Sequence, residues 1–207
     1  KAYLELKEKL TKEGLFNPEK KRPLPELPVS VGVITSKAGV VLHDFSTNLG
    51  RFGFQVEVVD ARVEGKDALH EILAALKTLE TRQVEVIVIM RGGGSWESLQ
   101  AFNTEAVVRA VAAASVPIIT GIGHDTDVTL TELAADQGVS TPTATAEVLN
   151  ESWEVAVSTL EQAERSVLTN YSQRLVTTQH ELTLSIRQLE QYYRRVVTTV
   201  AETLSLG

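Results

Sequence analysis

The sequence predicts an α/β fold: a parallel, helix-covered sheet of about four strands, Rossmann-like, followed by long α-helices. Short apolar runs alternate with amphipathic segments of helix length, as expected for strands linked by covering helices. The run from Val84 to Met90 is almost entirely Val and Ile, which is typical of a strand buried on both faces. After Thr145 there is no proline, and no glycine until the last residue, so the chain can continue as helix.

The individual elements follow from these periodicities and from the residues that start and end helices. The predicted strands cover residues 29–35, 55–63, 84–90 and 117–120. The predicted helices cover residues 1–13, 36–49, 67–79, 98–114 (interrupted near 103–104) and 128–135. Ser36 and Thr126 are expected to cap two of these helices, because their hydroxyl oxygens accept hydrogen bonds from first-turn amides.

Three parts are predicted along the chain: an N-terminal helix with a Pro/Lys-rich linker (1–28), an α/β catalytic domain (29–147) and a truncated, coiled-coil-like helical extension (148–207). In the extension, apolar residues recur at a mean spacing of about 3.6 residues, the period of a straight helix. These residues form a narrow apolar stripe along one side of the helix. The stripe needs a partner helix to bury it, and a neighbouring copy of the chain could supply that helix. The chain begins without methionine, so we expect a fragment of a longer protein.

Composition excludes some classes of protein and restricts others. The net charge of −7 is unusual for a nucleic-acid-binding protein, so any affinity for a polyanion must be local. The linker cluster 20–22 (Lys-Lys-Arg) is interpreted as solvated, with a nucleic-acid contact left open. The absence of cysteine excludes disulfides and is compatible with the cytoplasmic location that we expect. No apolar run approaches the ~18 residues that span a bilayer, so no membrane association is expected.

A candidate site is predicted where the carboxyl ends of the strands meet, since ligands of open α/β sheets bind there. Thr35 and Ser36 end one strand, and a second strand is followed by Arg91, Gly92, Gly93, Gly94 and Ser95. A permanent cation beside glycine backbone that a ligand can approach closely suits a phosphate or carboxylate. The alternative is a flexible loop with a solvated arginine.

The third strand end of the site carries His124 and Asp127, three residues apart. Such a histidine can act as a general acid or base, with its tautomer fixed by the carboxylate; the alternative is a purely structural hydrogen bond. Arginine, backbone amides and histidine together suit a phosphodiester. Asp44 lies about 12 Å along a helix from Ser36, so it would reach only a large ligand. P-loop, dinucleotide and HExxH motifs are absent.

Four ordered motifs resemble the large-subunit family of bacterial exodeoxyribonuclease VII. They are Val-Gly-Val-Ile-Thr-Ser (31–36), Leu-His-Asp (42–44), Arg-Gly-Gly-Gly-Ser (91–95) and Gly-His-Asp-Thr-Asp (123–127). The resemblance continues through residues 140–147 and covers roughly residues 1 to 150. Met90 and Asp125 depart from the commonest residues of the family, without touching the proposed chemistry.

The resemblance implies an enzyme that hydrolyses single-stranded DNA from either end to short oligonucleotides, in complex with a small helical subunit. It places the functional positions at Asp44, Arg91, His124 and Asp127. It also implies an N-terminal OB-fold, which is not recognisable here. No metal is strictly required in the family, although Asp44 and Asp127 could hold one Mg²⁺.

Two other classes of function stay open at this point. One is an enzyme acting on a small nucleotide or sugar phosphate ester. The other is a non-catalytic assembly module in which the long helices, through partners or self-association, are the main functional element.

Overall fold

The chain folds around a five-stranded sheet in which every pair of neighbouring strands is parallel. A computed structural model describes residues 2–37, 39–92, 96–123 and 128–205. The strands are β1 (Ser30–Thr35), β2 (Gln55–Asp60), β3 (Val86–Met90), β4 (Ile118–Gly121) and β5 (Gln137–Val139). The predicted parallel α/β fold is confirmed. The prediction missed β5, whose three residues include a glutamine and a glycine and give no apolar run.

The strand order is β2-β1-β3-β4-β5, so the chain leaves β1 toward one side and later returns to build the other side from β3. This is a doubly wound order with a switch point between β1 and β3, where the connections diverge and leave a crevice at the carboxyl ends. The two strands pair from Val31 opposite Val86 to Ile34 opposite Ile89.

Six α-helices surround or follow the sheet in the described part of the chain. They are α1 (Ala2–Lys12), α2 (Val41–Asn48), α3 (Ala68–Thr81), α4 (Glu105–Ala113), α5 (Leu130–Ala134) and α6 (Pro142–Ser205), with 3₁₀ turns at Pro18–Lys20 and Trp96–Asn103. The predicted break of the fourth helix near Asn103 is confirmed. Thr104 precedes α4, but its hydroxyl donates back to the Ala101 carbonyl (2.7 Å) instead of capping the helix.

The alternating side chains of the strands build a separate apolar core on each face. Ile34, Ile87 and Ile89 point to one face, where α1, α3, α4 and α5 pack. Val33 and Val88 point to the other face, which α2 and the first turns of α6 cover. Because both faces are covered, β3 is apolar at every position, as its sequence predicted.

Two of the predicted helix caps are wrong. Ser36 does not cap a helix, because its carbonyl accepts from Gly39 in a turn (3.2 Å) and α2 begins only at Val41. Thr129, rather than Thr126, caps α5: its hydroxyl accepts from the Glu132 amide, while the Glu132 carboxylate accepts from the Thr129 amide. This reciprocal capping box satisfies two amides at once.

The N-terminal segment is tied into the structure, so the interpretation of its basic cluster as solvated is wrong for Lys21 and Arg22, whereas Lys20 is exposed. Helix α1 ends near Gly14, whose φ of +70° suits glycine, and it buries Leu10 in the core. Lys21 then donates to the Leu133 carbonyl (2.9 Å) and to that of Ala135 at the end of α5. Burial lowers the pKa of Lys21, an effect that the nearby Asp136 carboxylate opposes.

Arg22 forms an ion pair with Asp136, whose side chain is only 2% exposed (2.8 Å). The same guanidinium donates to the Val111 carbonyl (2.9 Å) and to that of Ala114, at the end of α4. Asp136 in turn accepts the backbone amides of Arg22 and Ile118, both at 2.7 Å. These contacts join four separate segments beside the first residue of β4, at the amino edge of the sheet.

The chain divides into two compact units, Lys1–Glu154 and Val155–Gly207. The predicted domain boundaries, after residues 28 and 147, differ from this division, because α6 begins at Pro142 and buries Ala146 and Leu149 in the first unit. Asn150 accepts from the Gly50 amide and donates to the Asn48 carbonyl at the end of α2.

The second unit is helical as far as Ser205 and carries apolar side chains that are exposed to solvent. Those with the largest exposed fractions include Leu160, Val167, Tyr171, Val176, Leu182, Tyr192, Tyr193 and Val197. Across the described residues, no helix combines the length and the hydrophobicity that crossing a membrane requires.

Candidate functional site

A cavity of about 570 Å³ lies at the switch point between β1 and β3. Because β1 and β3 are adjacent and parallel, their carboxyl ends open into the same crevice, where ligands of this fold class bind. We call this cavity the switch-point cleft. It is lined by Thr35, Ser36, Gly39, Val40, Val41, Arg62, Val63, Glu64, Arg91 and Gly92.

Arg91 is the most buried charged residue of the switch-point cleft, with only 4% of its surface exposed. It follows the last residue of β3, and its backbone amide donates to the Gly121 carbonyl at the end of β4 (3.0 Å). Its guanidinium donates to the Ser98 hydroxyl of the following 3₁₀ turn. Burial lowers the pKa of Arg91, while the negative charge of Glu64 opposes that shift. Since an arginine stays protonated in proteins, the cleft has a cation that is largely removed from water.

Gly92 is required by packing at the point where β3 leaves the sheet. A Cβ atom at this position would lie 2.9 Å from the Cγ2 atom of Val41, the first residue of α2. Only glycine lets the chain pass this close to the helix and leaves its own backbone facing the cleft. Gly93, Gly94 and Ser95 fall outside the described residues, so their predicted contacts with substrate stay predictions.

Thr35 and Ser36 line the cleft where β1 ends, as the prediction of a binding role requires. The Thr35 carbonyl is occupied by the Ala61 amide (3.1 Å), and the Lys37 amide is held by the Asp60 carboxylate (2.9 Å). These bonds fix the loop from β1 toward α2. Val40, at the N-terminal cap position of α2, provides no side-chain cap, so the positive end of that helix dipole is not shielded by a capping side chain.

Asp44 lies closer to the start of its helix than the sequence suggested. Because α2 begins at Val41, Asp44 is in the first turn, about 4.5 Å along the axis from the first residue. Its side chain is exposed, and its carbonyl accepts from the Asn48 side chain (2.8 Å). Asp44 is not among the residues that line the switch-point cleft, and its functional role stays a prediction.

His124 and Asp127 both lie outside the described residues, so the structure does not test their geometry. The described chain on either side fixes where this segment begins. Met90 pairs with Gly121, the last residue of β4, and Gly123 is still buried. The segment therefore departs from the strand adjacent to the one that carries Arg91.

Arg62 and Glu64 are cleft residues that the sequence analysis missed. The predicted second strand extended to residue 63, which placed Arg62 inside a strand. In the structure β2 ends at Asp60, and residues 62–64 line the cleft. A strand that ended at Asp60, with charged residues next in sequence, would have been the signal. The Arg62 guanidinium contacts Asp67 (2.6 Å) and Glu71 (2.5 Å). Its hydrogen bond to Glu71, more than the charge of Asp67, raises its pKa.

A metal site is not formed by the described residues alone: within 2–37, 39–92, 96–123 and 128–205, no three Asp, Glu or His side chains are grouped to hold an ion. The set predicted for a metal, Asp44 with Asp127, includes a residue outside these ranges. Its fit to Mg²⁺ therefore rests on oxygen chemistry alone, since carboxylates and water are the ligands that Mg²⁺ prefers.

Comparisons with known proteins agree on one family. Residues 15–205 match a family model described as "Exonuclease VII, large subunit". A protein named exodeoxyribonuclease 7 large subunit in Thiobacillus denitrificans is 41% identical over 191 residues, which cover 91% of this chain and 42% of the relative. Its namesake in Ruminiclostridium cellulolyticum is 38% identical, over 87% of this chain and 46% of the relative. The chain thus spans less than half the length of these relatives.

Proposed function

The chain belongs to the exonuclease VII large-subunit family, and we propose that it hydrolyses phosphodiester bonds of single-stranded DNA from either end, releasing short oligonucleotides. The observation that carries this proposal is the buried Arg91 beside Gly92 in the switch-point cleft. The names of the relatives supply the substrate class, DNA cut from its ends, and the cleft supplies an anion site of the right kind.

The cleft suits a phosphodiester because it presents fixed positive charge in a partly dry site. Arg91 offers a planar guanidinium that matches two phosphate oxygens, and desolvation strengthens its attraction for them. The start of α2, which has no side-chain cap, adds the positive end of a helix dipole. Charge that develops on the phosphoryl oxygens in the transition state would be stabilised by donors already in position.

Proton transfer is assigned to the segment after β4. In this proposal His124 acts as general base on water or as general acid on the leaving oxygen, and Asp127 orients it. Asp44 assists or, with Asp127, holds a cation. Gly93, Gly94 and Ser95 complete the phosphate contacts begun by Gly92. The hydrogen bond from the Arg91 amide to the Gly121 carbonyl supports this assignment, because it keeps the two strand ends adjacent.

Glu64 favours a phosphodiester over the small phosphate esters considered as an alternative. Its carboxylate lines the same cleft and acts electrostatically on Arg91. A phosphodiester carries a single negative charge, whereas a terminal phosphate carries nearly two at neutral pH and would be repelled more strongly by Glu64.

The exposed apolar side chains of the second unit support a role in assembly. We propose that they bind the small helical subunit of the complex, with self-association through the same helix as the alternative occupant. A solvated helix with this many exposed Leu, Val and Tyr side chains needs a partner to bury them. We also propose a cytoplasmic location, where bacterial DNA is found.

The proposed function is tested with the chain extended to the length of its relatives and co-purified with the small subunit. Release of label from a single strand is measured for the wild type, Arg91→Met, His124→Ala and Arg82→Met. We expect a loss of about 10²–10³-fold for Arg91→Met and about 10²–10⁴-fold for His124→Ala. Arg82→Met is the matched control, since Arg82 is exposed and pairs with Glu57 away from the cleft.

Each outcome assigns a role. Full activity in His124→Ala would mean that another group transfers the proton, and full activity in Arg91→Met would remove the switch-point cleft from the reaction. Repeating the wild-type assay in EDTA decides the metal: unchanged activity supports acid–base chemistry without a metal. Loss of activity in EDTA would make Asp44 and Asp127 ligands of Mg²⁺.

A further inference from the structure

The switch-point cleft is larger and more apolar than the binding of one phosphate requires. Its volume of about 570 Å³ is within the range of cavities that enclose whole small molecules. Three of its lining residues are valines: Val41 and Val63 are nearly buried, whereas Val40 is 69% exposed at the start of α2. Val40, with the small exposed parts of Val41 and Val63, gives the cavity that Arg91 lines an apolar wall.

We propose that the switch-point cleft receives a nucleobase adjacent to the scissile phosphate, with the base against Val40, Val41 and Val63 while its phosphate lies at Arg91. The inference rests on the proposed function and deepens it by naming what else the site binds. Every nucleobase has an apolar face, so this wall binds bases without reading sequence, as a nuclease that degrades whole strands requires.

Arg62 completes this site at its rim. Two carboxylates, from Asp67 and Glu71, hold its guanidinium (2.6 and 2.5 Å). The plane of the guanidinium is thereby fixed in the absence of ligand, so less rotamer freedom is lost when a base or sugar packs against it. Arg62 would therefore contact the nucleotide through a preoriented surface, whereas Arg91 contacts its charge.

This arrangement explains a preference for single strands in physical terms. A base in a duplex must be unpaired and unstacked before it can enter a cleft, at a cost of a few kcal/mol, whereas a base in a flexible single strand is already accessible. The cleft therefore favours a single strand through what it must bind.

The test uses a labelled oligothymidine strand with one abasic linker, cut by the extended chain in complex with its small subunit. We expect the bond next to the linker to be cut about five- to tenfold more slowly than the other bonds of the strand, because the contact between base and valines is missing. In Val40→Ser this difference should shrink, while cleavage of the other bonds slows. Val56→Ser, at an exposed valine near the start of β2 and outside the cleft lining, is the matched control and should behave as the wild type.

A second measurement separates this inference from the proposed function. Binding of the methyl ester of thymidine 5′-monophosphate and of dimethyl phosphate, which each carry one negative charge, is compared by NMR for the wild type and Val40→Ser. Tighter binding of the nucleotide by about tenfold or more, reduced in Val40→Ser, supports the base site even if no strand is cut. Equal affinity for the two probes, or equal cleavage beside and away from the linker, would overturn it. Base-dependent binding without any nuclease activity would instead contradict the proposed function alone.

Discussion

The two edges of the sheet use buried charge in opposite ways. At the amino edge, Arg22 is neutralised by Asp136, and the remaining bonds of both groups go to the backbone of neighbouring segments. At the carboxyl edge, Arg91 lines an open cavity of about 570 Å³. The same residue type thus joins segments at one edge and faces space for a ligand at the other. The place of an arginine at a sheet edge does not identify its role; the groups that surround it do.

The largest change in stability is expected when the Asp136 carboxylate at the amino edge of the sheet is removed. Asp136→Ala leaves the backbone amides of Arg22 and Ile118 without their acceptor, and the Arg22 guanidinium keeps only its two carbonyl partners. We expect the free energy of unfolding to fall by about 3–5 kcal/mol, as when one partner of a buried ion pair is removed. Chemical denaturation measures it. Glu57→Ala, which removes an exposed contact with Arg82, should cost under about 1 kcal/mol. Equal losses in the two variants would mean that the amino edge is not a structural tie.

The next effect lies at the carboxyl edge, where α6 begins against β4. A Cβ atom at Gly121 would come within 2.9 Å of the Thr141 carbonyl oxygen and 2.6 Å of the Thr145 Cγ2 atom. Gly121→Ala should therefore lower the free energy of unfolding by about 1–3 kcal/mol. Gly138→Ala on the neighbouring strand is the control, since its Cβ would meet no atom closer than 3.4 Å. A stable Gly121→Ala variant would show that the start of α6 can shift freely.

The two arginines themselves provide a more direct comparison. Arg22→Met leaves the Asp136 carboxylate buried without its cation and should cost about 3–5 kcal/mol. Arg91→Met removes a charge that burial disfavours but also its hydrogen bond to Ser98, so we expect a loss of about 1–2 kcal/mol, smaller than that of Arg22→Met, together with the loss of nuclease activity. Thermal and chemical unfolding of both variants measure the two changes in the free energy of unfolding. Similar losses of stability would remove the distinction between the two edges.

The smallest effect concerns pH and the carboxylates that hold Arg62. The hydrogen bonds from Arg62 lower the pKa of Glu71 below its usual value. In the acid range the unfolded chain then binds more protons at this group, so stability rises with pH. The contribution is complete above the unfolded pKa and is lost as pH falls through the folded one. The difference in unfolding free energy between wild type and Glu71→Gln should therefore shrink below about pH 4. If the difference in unfolding free energy between the wild type and Glu71→Gln stays constant from pH 7 to pH 3, the prediction is wrong.

Local patterns predicted what depends on local sequence. The apolar run of β3, the break before α4 and the long helix after Thr145 all appear in the structure, because strand burial and helix periodicity are encoded in adjacent residues. The end of β2 was misplaced because Ala61 and Val63 are apolar and buried although they lie beyond the strand. That error concealed Arg62 as a cleft residue.

Long-range partners could not be predicted in this way. Nothing near Lys21 and Arg22 shows that their partners are α4, α5 and Asp136, more than eighty residues later. Ser36 has the chemistry of a helix cap, but the Asp60 carboxylate on the neighbouring strand holds the next amide and the chain stays in a loop. Such competition between local preference and distant partners is decided only in the folded chain.

The pairing of Arg22 with Asp136 also sets an order of events during synthesis. The two residues are 114 positions apart, so Arg22 is made roughly 6 to 23 seconds before Asp136 at ribosomal rates of elongation. Throughout that interval the basic segment has no acceptor and α1 has no complete surface on which to dock. The amino edge can close only after β4, α5 and the start of β5 have been synthesised. The basic segment therefore reaches its final contacts only after Asp136, 114 positions later, has been made.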